Sequence, residues 1–290
     1  MTGYRGYRVE GRLASGGMAE LLLARAEQGP HQGPRVVIKR VREHLADMDD
    51  LLDMFRHESR LASSLRHPNI VEVVDTGEAD GLPFMVMEHL EGVDLRALLS
   101  RCGSLAVPDA CFVAREIAQG LSYAHALVDE KGTSLGLVHR DVSPHNVFVT
   151  TAGAVKVLDF GIAKTNRIAT VSGLVRGKAG YMAPEQLAGL GVDARSDLFA
   201  LGVVTWEMLA GRRLWELDSE TGVARAIRDE SPRPVETFAP AAANGVHRVV
   251  AALLAKFPNA RPRSASEVAR AFAPFVVEHA KERLARLVTA

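Results

Sequence analysis

The 290-residue chain balances 35 Lys and Arg against 35 Asp and Glu, for a formal net charge of zero, and 47% of its residues are hydrophobic. Charge therefore supplies no global field for gathering nucleic acid or an anionic membrane, and the length suits more than one lobe. Two cysteines, Cys102 and Cys111, lack metal-ligand spacing and read as small apolar fillers in a reducing cytoplasm, not as a disulfide. The N-terminal MTGYRGYRVEG does not have the pattern of a signal peptide, and the most apolar run, residues 198–210, contains Glu207 and is too short to span a bilayer. That run reads as a buried helix.

In chain order, YRVEGRL, ELLLARA and RVVIKRV are short apolar runs broken by turn-formers, which predicts three antiparallel strands. Apolar residues at helical spacing over 51–65 predict one helix, stopped by HPN. IVEVVDTG and LPFMVMEHL add two strands, and EGVDLRALLS begins helical sequence. From Pro108 on, helices are expected at 109–127, 195–210, 220–229, 244–256 and 264–288, the last interrupted at Pro274. LVH, VFVT and VKVLD are the strand-like exceptions. No repeat or low-complexity tract appears, so a single catalytic-size unit is expected.

The chemistry concentrates in HRDVSPHN, residues 139–146, and in DFG, whose Asp159 lies thirteen residues after Asn146. Each segment adjoins a strand, so a carboxylate (Asp141), an amide (Asn146) and a second carboxylate (Asp159) sit on neighbouring loops. Phosphoryl transfer needs such a set: a carboxylate to orient a hydroxyl and accept its proton, and hard oxygen ligands for Mg²⁺. APE follows at 183–185.

In this ordered set the sequence resembles the eukaryotic-like bacterial serine/threonine protein kinase family, from about Tyr7 to Arg270. The resemblance implies a two-lobed α+β kinase fold. Residues 7–90 would form a five-stranded antiparallel small lobe with one main helix, residues 91–275 a mostly helical large lobe, and 276–290 a C-terminal helix. It makes Asp141 the catalytic base, Asn146 and Asp159 the metal ligands, and Lys39 and Glu58 the ion pair that directs an ammonium toward the ATP phosphates. Arg140 would pair with a phosphate on the activation segment. Leu13, Ala14, Ser15, Gly16, Gly17 and Leu21 would form the phosphate-covering loop and part of the adenine pocket, with Val37 and Phe148 completing the pocket. Met87 would be the gatekeeper, Glu88 to Leu90 the hinge, and Asp94 the ribose contact. Asp197 would hold the HRD backbone, and Arg261 would pair with Glu185.

The sequence departs from the family pattern in two linked places. The lysine usual two residues after the catalytic Asp is Ser143, and the threonine usual before APE is Lys178. Lys178 is therefore expected to return the missing charge to the transferred phosphate. The glycine loop keeps only its middle glycine, Gly16, with Gly17 beside it. Thr170 and Ser172 are the expected autophosphorylation sites, with Arg167 and Arg176 near them in sequence. The expected activity is transfer of the γ-phosphate of ATP to Ser/Thr hydroxyls of proteins, including itself through a transient dimer, with no nucleic-acid or membrane partner. The alternative is a pseudokinase acting as a scaffold. The amphipathic stretch PFVVEHAKERLARLV is expected to pack on the large lobe.

Overall fold

Strands β1 (Tyr7–Ser15), β2 (Ala19–Ala26), β3 (Arg35–Val41), β4 (Val73–Ala79) and β5 (Leu82–Glu88) form one antiparallel sheet of order β1-β2-β3-β5-β4. The computed structural model describes Tyr4 and residues 6–27, 33–160 and 179–290, and the chain divides into two compact units, Met1–Leu90 and Glu91–Ala290.

Strand alternation splits the first unit's sheet into two chemically distinct faces. Leu22, Ala24, Val36, Ile38, Phe84 and Val86 point one way and bury against Tyr4, whose ring meets Phe84 edge-on at 5.1 Å. The register pairs Leu21 with Lys39 and Lys39 with Met85, and likewise Leu23 with Val37 and Val37 with Met87, so these six share the opposite face. Helix α1 (Asp49–Ser63) buries Leu51, Leu52, Phe55 and Ser59 at helical spacing, and Asp49 and Asp50 complement the positive end of its dipole.

In the second unit, β6 (Gly92–Asp94), β7 (Val147–Thr150) and β8 (Val155–Val157) form a small antiparallel sheet. Eight helices accompany it among the described residues: α2 (Leu95–Cys102), α3 (Val107–His125), α4 (Pro184–Leu187), α5 (Ala194–Ala210), α6 (Glu220–Asp229), α7 (Val246–Leu253), α8 (Ala265–Phe272) and α9 (Ala280–Thr289). Helix α5 is buried on every side from Ser196 to Leu209, the mark of a central helix. A Cβ at its Gly202 would come within 2.7 Å of Leu253 Cβ, so glycine sets the close crossing with α7. Asp94, Asp193, Ser219 and Ser264 accept backbone N–H groups at the starts of α2, α5, α6 and α8.

Helix α9 packs on its own unit through Ala280, Leu284 and Val288. Arg283 pairs with buried Asp109 at 2.9 Å, and Arg101 donates to the carbonyls of Leu287 and Val288 at the helix end. Gly153, at φ +74° between β7 and β8, lies so close that a Cβ would stand 2.0 Å from the Lys281 carbonyl oxygen.

Several expectations need correction. LVH is not a strand, because the His139 N–H is taken by the Asp197 side chain instead of a ladder partner. The fourth strand starts at Val73, not Ile70, and EGVDL opens with β6 before its helix. The helix expected at 244–256 is confined to Val246–Leu253, and the break after α8 runs through a 3₁₀ turn at Ala273–Phe275. Cys111 is a buried filler, but Cys102 is exposed.

Candidate active site

The candidate site residues fall in both units, and those of each unit are described by themselves. In the first, Lys39 Nζ lies 3.3 Å from Glu58 Oε1, with the two side chains only 13% and 14% exposed. The β2–β3–β5 register puts Lys39 on the sheet face that α1 reaches, and the helical spacing of α1 turns Glu58 toward it. Leu21, Val37 and Met87 share that face. Met87 is buried beside Val37 and Val73. Glu88 exchanges two bonds with Glu72: its N–H donates to the Glu72 carbonyl at 3.0 Å, and its carboxylate accepts the Glu72 N–H at 2.9 Å.

The β1–β2 hairpin pairs Ala14 with Leu21 and Ser15 with Glu20 and leaves Leu13 50% exposed. The Gly16 N–H donates to the Ala19 carbonyl at 2.9 Å, and Arg42 donates to the Gly16 carbonyl at 3.1 Å. Neither Gly16 nor Gly17 has a positive φ, and a Cβ at either would meet nothing closer than 3.5 Å. What these glycines contribute is a turn without side-chain bulk.

The site residues of the second unit are organised by Asp197, 1% exposed at the start of α5. Its carboxylate accepts the N–H groups of His139 and Arg140, each at 2.8 Å, and lies 2.8 Å from His125 Nε2. His125, at the end of α3, was not singled out in the sequence. A single histidine at a helix end carries no pattern of its own, and only Asp197 on a distant helix gives it meaning. The clamp holds Arg140 at φ +64°, a left-handed conformation that a non-glycine residue adopts only when its surroundings enforce it.

His139 is fully buried, and burial depresses its pKa against the opposing pull of Asp197 and Asp141. Its Nδ1 accepts the Asp141 N–H at 3.2 Å, which places the proton of the neutral ring on Nε2 and makes that atom the donor to the Leu158 carbonyl at 2.9 Å. The Phe160 ring packs on it at 4.6 Å. One histidine thus fixes the loops of Asp141 and Asp159 to each other.

Asn146 Nδ2 donates to both the carbonyl and the carboxylate of Asp141, at 2.8 and 2.9 Å. That turns the amide oxygen away from Asp141. The pairing of Val147 with Val157, extended by the Leu158 N–H to the Asn146 carbonyl at 2.8 Å, sets Asn146 and Asp159 at matching ends of β7 and β8. Asp159 is held at φ +48°. An amide oxygen and a carboxylate are hard donors that fit Mg²⁺. Phe148 and Asp94 are cross-strand neighbours, and one Asp94 oxygen is occupied by the Ala97 N–H at 2.7 Å.

Ser143 is fully buried, and its hydroxyl has no hydrogen-bond partner among the described residues. Gly161, Thr165, Arg167, Thr170, Ser172, Arg176 and Lys178 lie outside the described residues. Glu185, after the APE proline, meets Arg261 in a bidentate pair at 2.7 and 2.8 Å.

A model of the protein kinase domain matches residues 7–273. The chain belongs to the protein kinase family. This kinase domain is 38% identical over 282 residues to the tyrosine-protein kinase MasK of Myxococcus xanthus, covering 95% of this chain and 44% of that protein. It is 36% identical over 270 residues to the serine/threonine-protein kinase PknB of Mycobacterium tuberculosis, covering 90% and 41%. Among solved structures it is similar to the PknI kinase domain of M. tuberculosis, with a TM-score of 0.70, 29% identity, and coverage of 93% and 96%. The kinase domain spans under half the length of these curated relatives. No helix among its described residues is long and apolar enough to cross a membrane.

Proposed function

We propose that this kinase domain transfers the γ-phosphoryl group of ATP to serine and threonine hydroxyls of proteins, its own activation segment included. The observation that carries the reading is the Asp141 carboxylate, fixed by the Asn146 amide in a loop whose backbone Asp197 clamps. A carboxylate held in this way orients an acceptor hydroxyl and takes its proton as the oxygen attacks phosphorus. Lys39, steadied by Glu58, offers its ammonium to the α- and β-phosphates. Asn146 and Asp159 would hold Mg²⁺, which would supply positive charge at the phosphates. Leu13, Leu21, Val37, Met87 and Phe148 receive the adenine, the backbone of Glu88 to Leu90 hydrogen-bonds it, and Ala14 to Gly17 cover the phosphates. Asp94 keeps one carboxylate oxygen for the ribose.

The proposed division is a small lobe at 7–90, a large lobe at 91–275 and an appended helix at 276–290. The cytoplasm is the compartment proposed for the domain, in keeping with its two unpaired cysteines. Arg140 receives a phosphate on Thr170 or Ser172, added in trans by a second copy. The serine/threonine assignment follows PknB over MasK because the chain as a whole resembles that branch, against the one marker it lacks, the lysine that Ser143 replaces. The presence of Lys39, Glu58, Asp141, Asn146 and Asp159 together disfavours a pseudokinase.

The test is transfer of labelled phosphate from ATP to the chain itself and to a generic protein acceptor, followed by phosphopeptide mapping. Wild type incorporates label and Asp159→Asn does not; equal incorporation by both would refute the reading.

Ser143 bears on the chemistry. Its buried hydroxyl lacks a hydrogen-bond partner among the described residues, at the position where the family usually carries a lysine. In the proposed mechanism Lys178 brings from the activation segment the charge that Ser143 lacks, and stabilises the transferring phosphoryl group. Ser143→Lys and Lys178→Thr are each expected to slow turnover, and the double variant to recover it. Losses that add in activation free energy, so that the fold-reductions in rate multiply, would contradict this coupling.

A further inference from the structure

Gln186 takes no part in the proposed transfer step, yet its side chain reaches the peptide unit that precedes Asp141. Its Nε2 donates to the Arg140 carbonyl at 3.3 Å, and its Oε1 accepts the Ala183 N–H at 2.9 Å. The two partners leave the amide one orientation, because a carbonyl only accepts and a backbone N–H only donates. Gln186 is half-buried in α4, so both bonds are partly shielded from water.

The amide that links Arg140 to Asp141 is thereby held at both polar ends. Its carbonyl receives the Gln186 donor, and its N–H donates to His139 Nδ1 at 3.2 Å. Because the peptide group is planar, two bonds at opposite ends fix the rotation that aims the Asp141 side chain. Arg140, at φ +64°, is likewise held on both sides, by Asp197 at its N–H and by Gln186 at its carbonyl.

The support behind Gln186 is itself anchored. Its neighbour Glu185 is tied to Arg261 and accepts the Ser196 hydroxyl, and Ser196 adjoins Asp197 at the start of α5. Helix α5 therefore holds α4 through Ser196 and the catalytic loop through Asp197, and Gln186 closes the third side of the triangle. We propose that Gln186 is a positioning residue for Asp141, through which the placement of α4 is carried into the catalytic loop. The proposal rests on the kinase reading for the role of Asp141.

Gln186→Glu keeps the oxygen that caps Ala183 but removes the donor to Arg140, whereas Gln186→Lys keeps a donor and removes the cap. The first is expected to retain the wild-type thermal midpoint and KM for ATP while kcat falls about tenfold, the weight of one lost hydrogen bond. The second should unfold at a lower temperature and yet turn over faster than the first. In an Asp141→Asn background, Gln186→Glu should cost no further turnover, because no base remains to be aimed. A merely structural role would make kcat follow the thermal midpoint. That pattern, or a tenfold loss that persists without the Asp141 carboxylate, overturns the proposal. If Gln186→Glu does not fold, Gln186→Lys is set against Gln186→Met, which has neither group, and equal kcat in those two overturns it. Hydrogen exchange of residues 139–146 without nucleotide reads the contact directly and should be faster in Gln186→Glu than in wild type. If wild type transfers no phosphate the kinase reading fails, and exchange still decides whether Gln186 holds the loop, unchanged exchange counting against it.

Discussion

Asp141→Asn is expected to lower the rate of phosphoryl transfer by about 10²–10⁴-fold, the range that a positioned proton acceptor contributes. The exchange is nearly isosteric. The Asn146 amide would still find an oxygen at position 141, its bond to the position-141 carbonyl is untouched, and the Asp197 clamp acts on the residues before it. Folding is therefore preserved while the negative charge and the basic oxygen are lost. Because the role proposed for the residue lies at the acceptor hydroxyl, KM for ATP should change little and kcat should carry the loss. Steady-state kinetics on a protein acceptor check this split, and a variant with wild-type kcat would move the base to another residue.

Arg261→Ala is expected to destabilise the fold by about 3–5 kcal/mol, the cost of leaving a buried charge without its partner. The Arg261 side chain is fully buried and its five N–H donors have five acceptors. Nε bonds the Ala255 carbonyl, Nη1 bonds Glu185 and the Arg195 carbonyl, and Nη2 bonds Glu185 and the Lys256 carbonyl. Ser196 adds a hydrogen bond to Glu185 at 2.6 Å. Burial alone would raise the Glu185 pKa, but the bonds from Arg261 and Ser196 outweigh it and the net shift is downward. A carboxylate depressed in the folded state stabilises above its unfolded pKa and loses that contribution as pH falls through the folded value. Acid should therefore weaken wild type and narrow the gap to the variant. Arg261→Lys is also costly, since an ammonium cannot replace the planar fork. As a control, loss of the exposed Arg212–Glu216 pair, at 2.6 Å, should change stability far less. Thermal unfolding of the full chain reads both, and equal effects at the two pairs would contradict the account.

The strand–helix order of the first unit and the placement of Lys39, Glu58, Asp141, Asn146 and Asp159 were legible because each lies in a motif or at a clear period. Asp197 and Arg261 could be read only through resemblance, since their partners are 57 or more residues away in sequence. What stayed hidden depends on distant contacts. His125 acquires its role from Asp197 on another helix. Gly92–Asp94 is too short for alternation to show. Glu207 looked like a reason to reject a membrane span, but it is the acceptor of the Tyr181 hydroxyl.

The product itself gives the most direct test of the central claim. After incubation of the chain with Mg²⁺ and labelled ATP, acid hydrolysis of the modified protein should release labelled phosphoserine or phosphothreonine. Release of phosphotyrosine alone, or no label above an Asp159→Asn control, would contradict it.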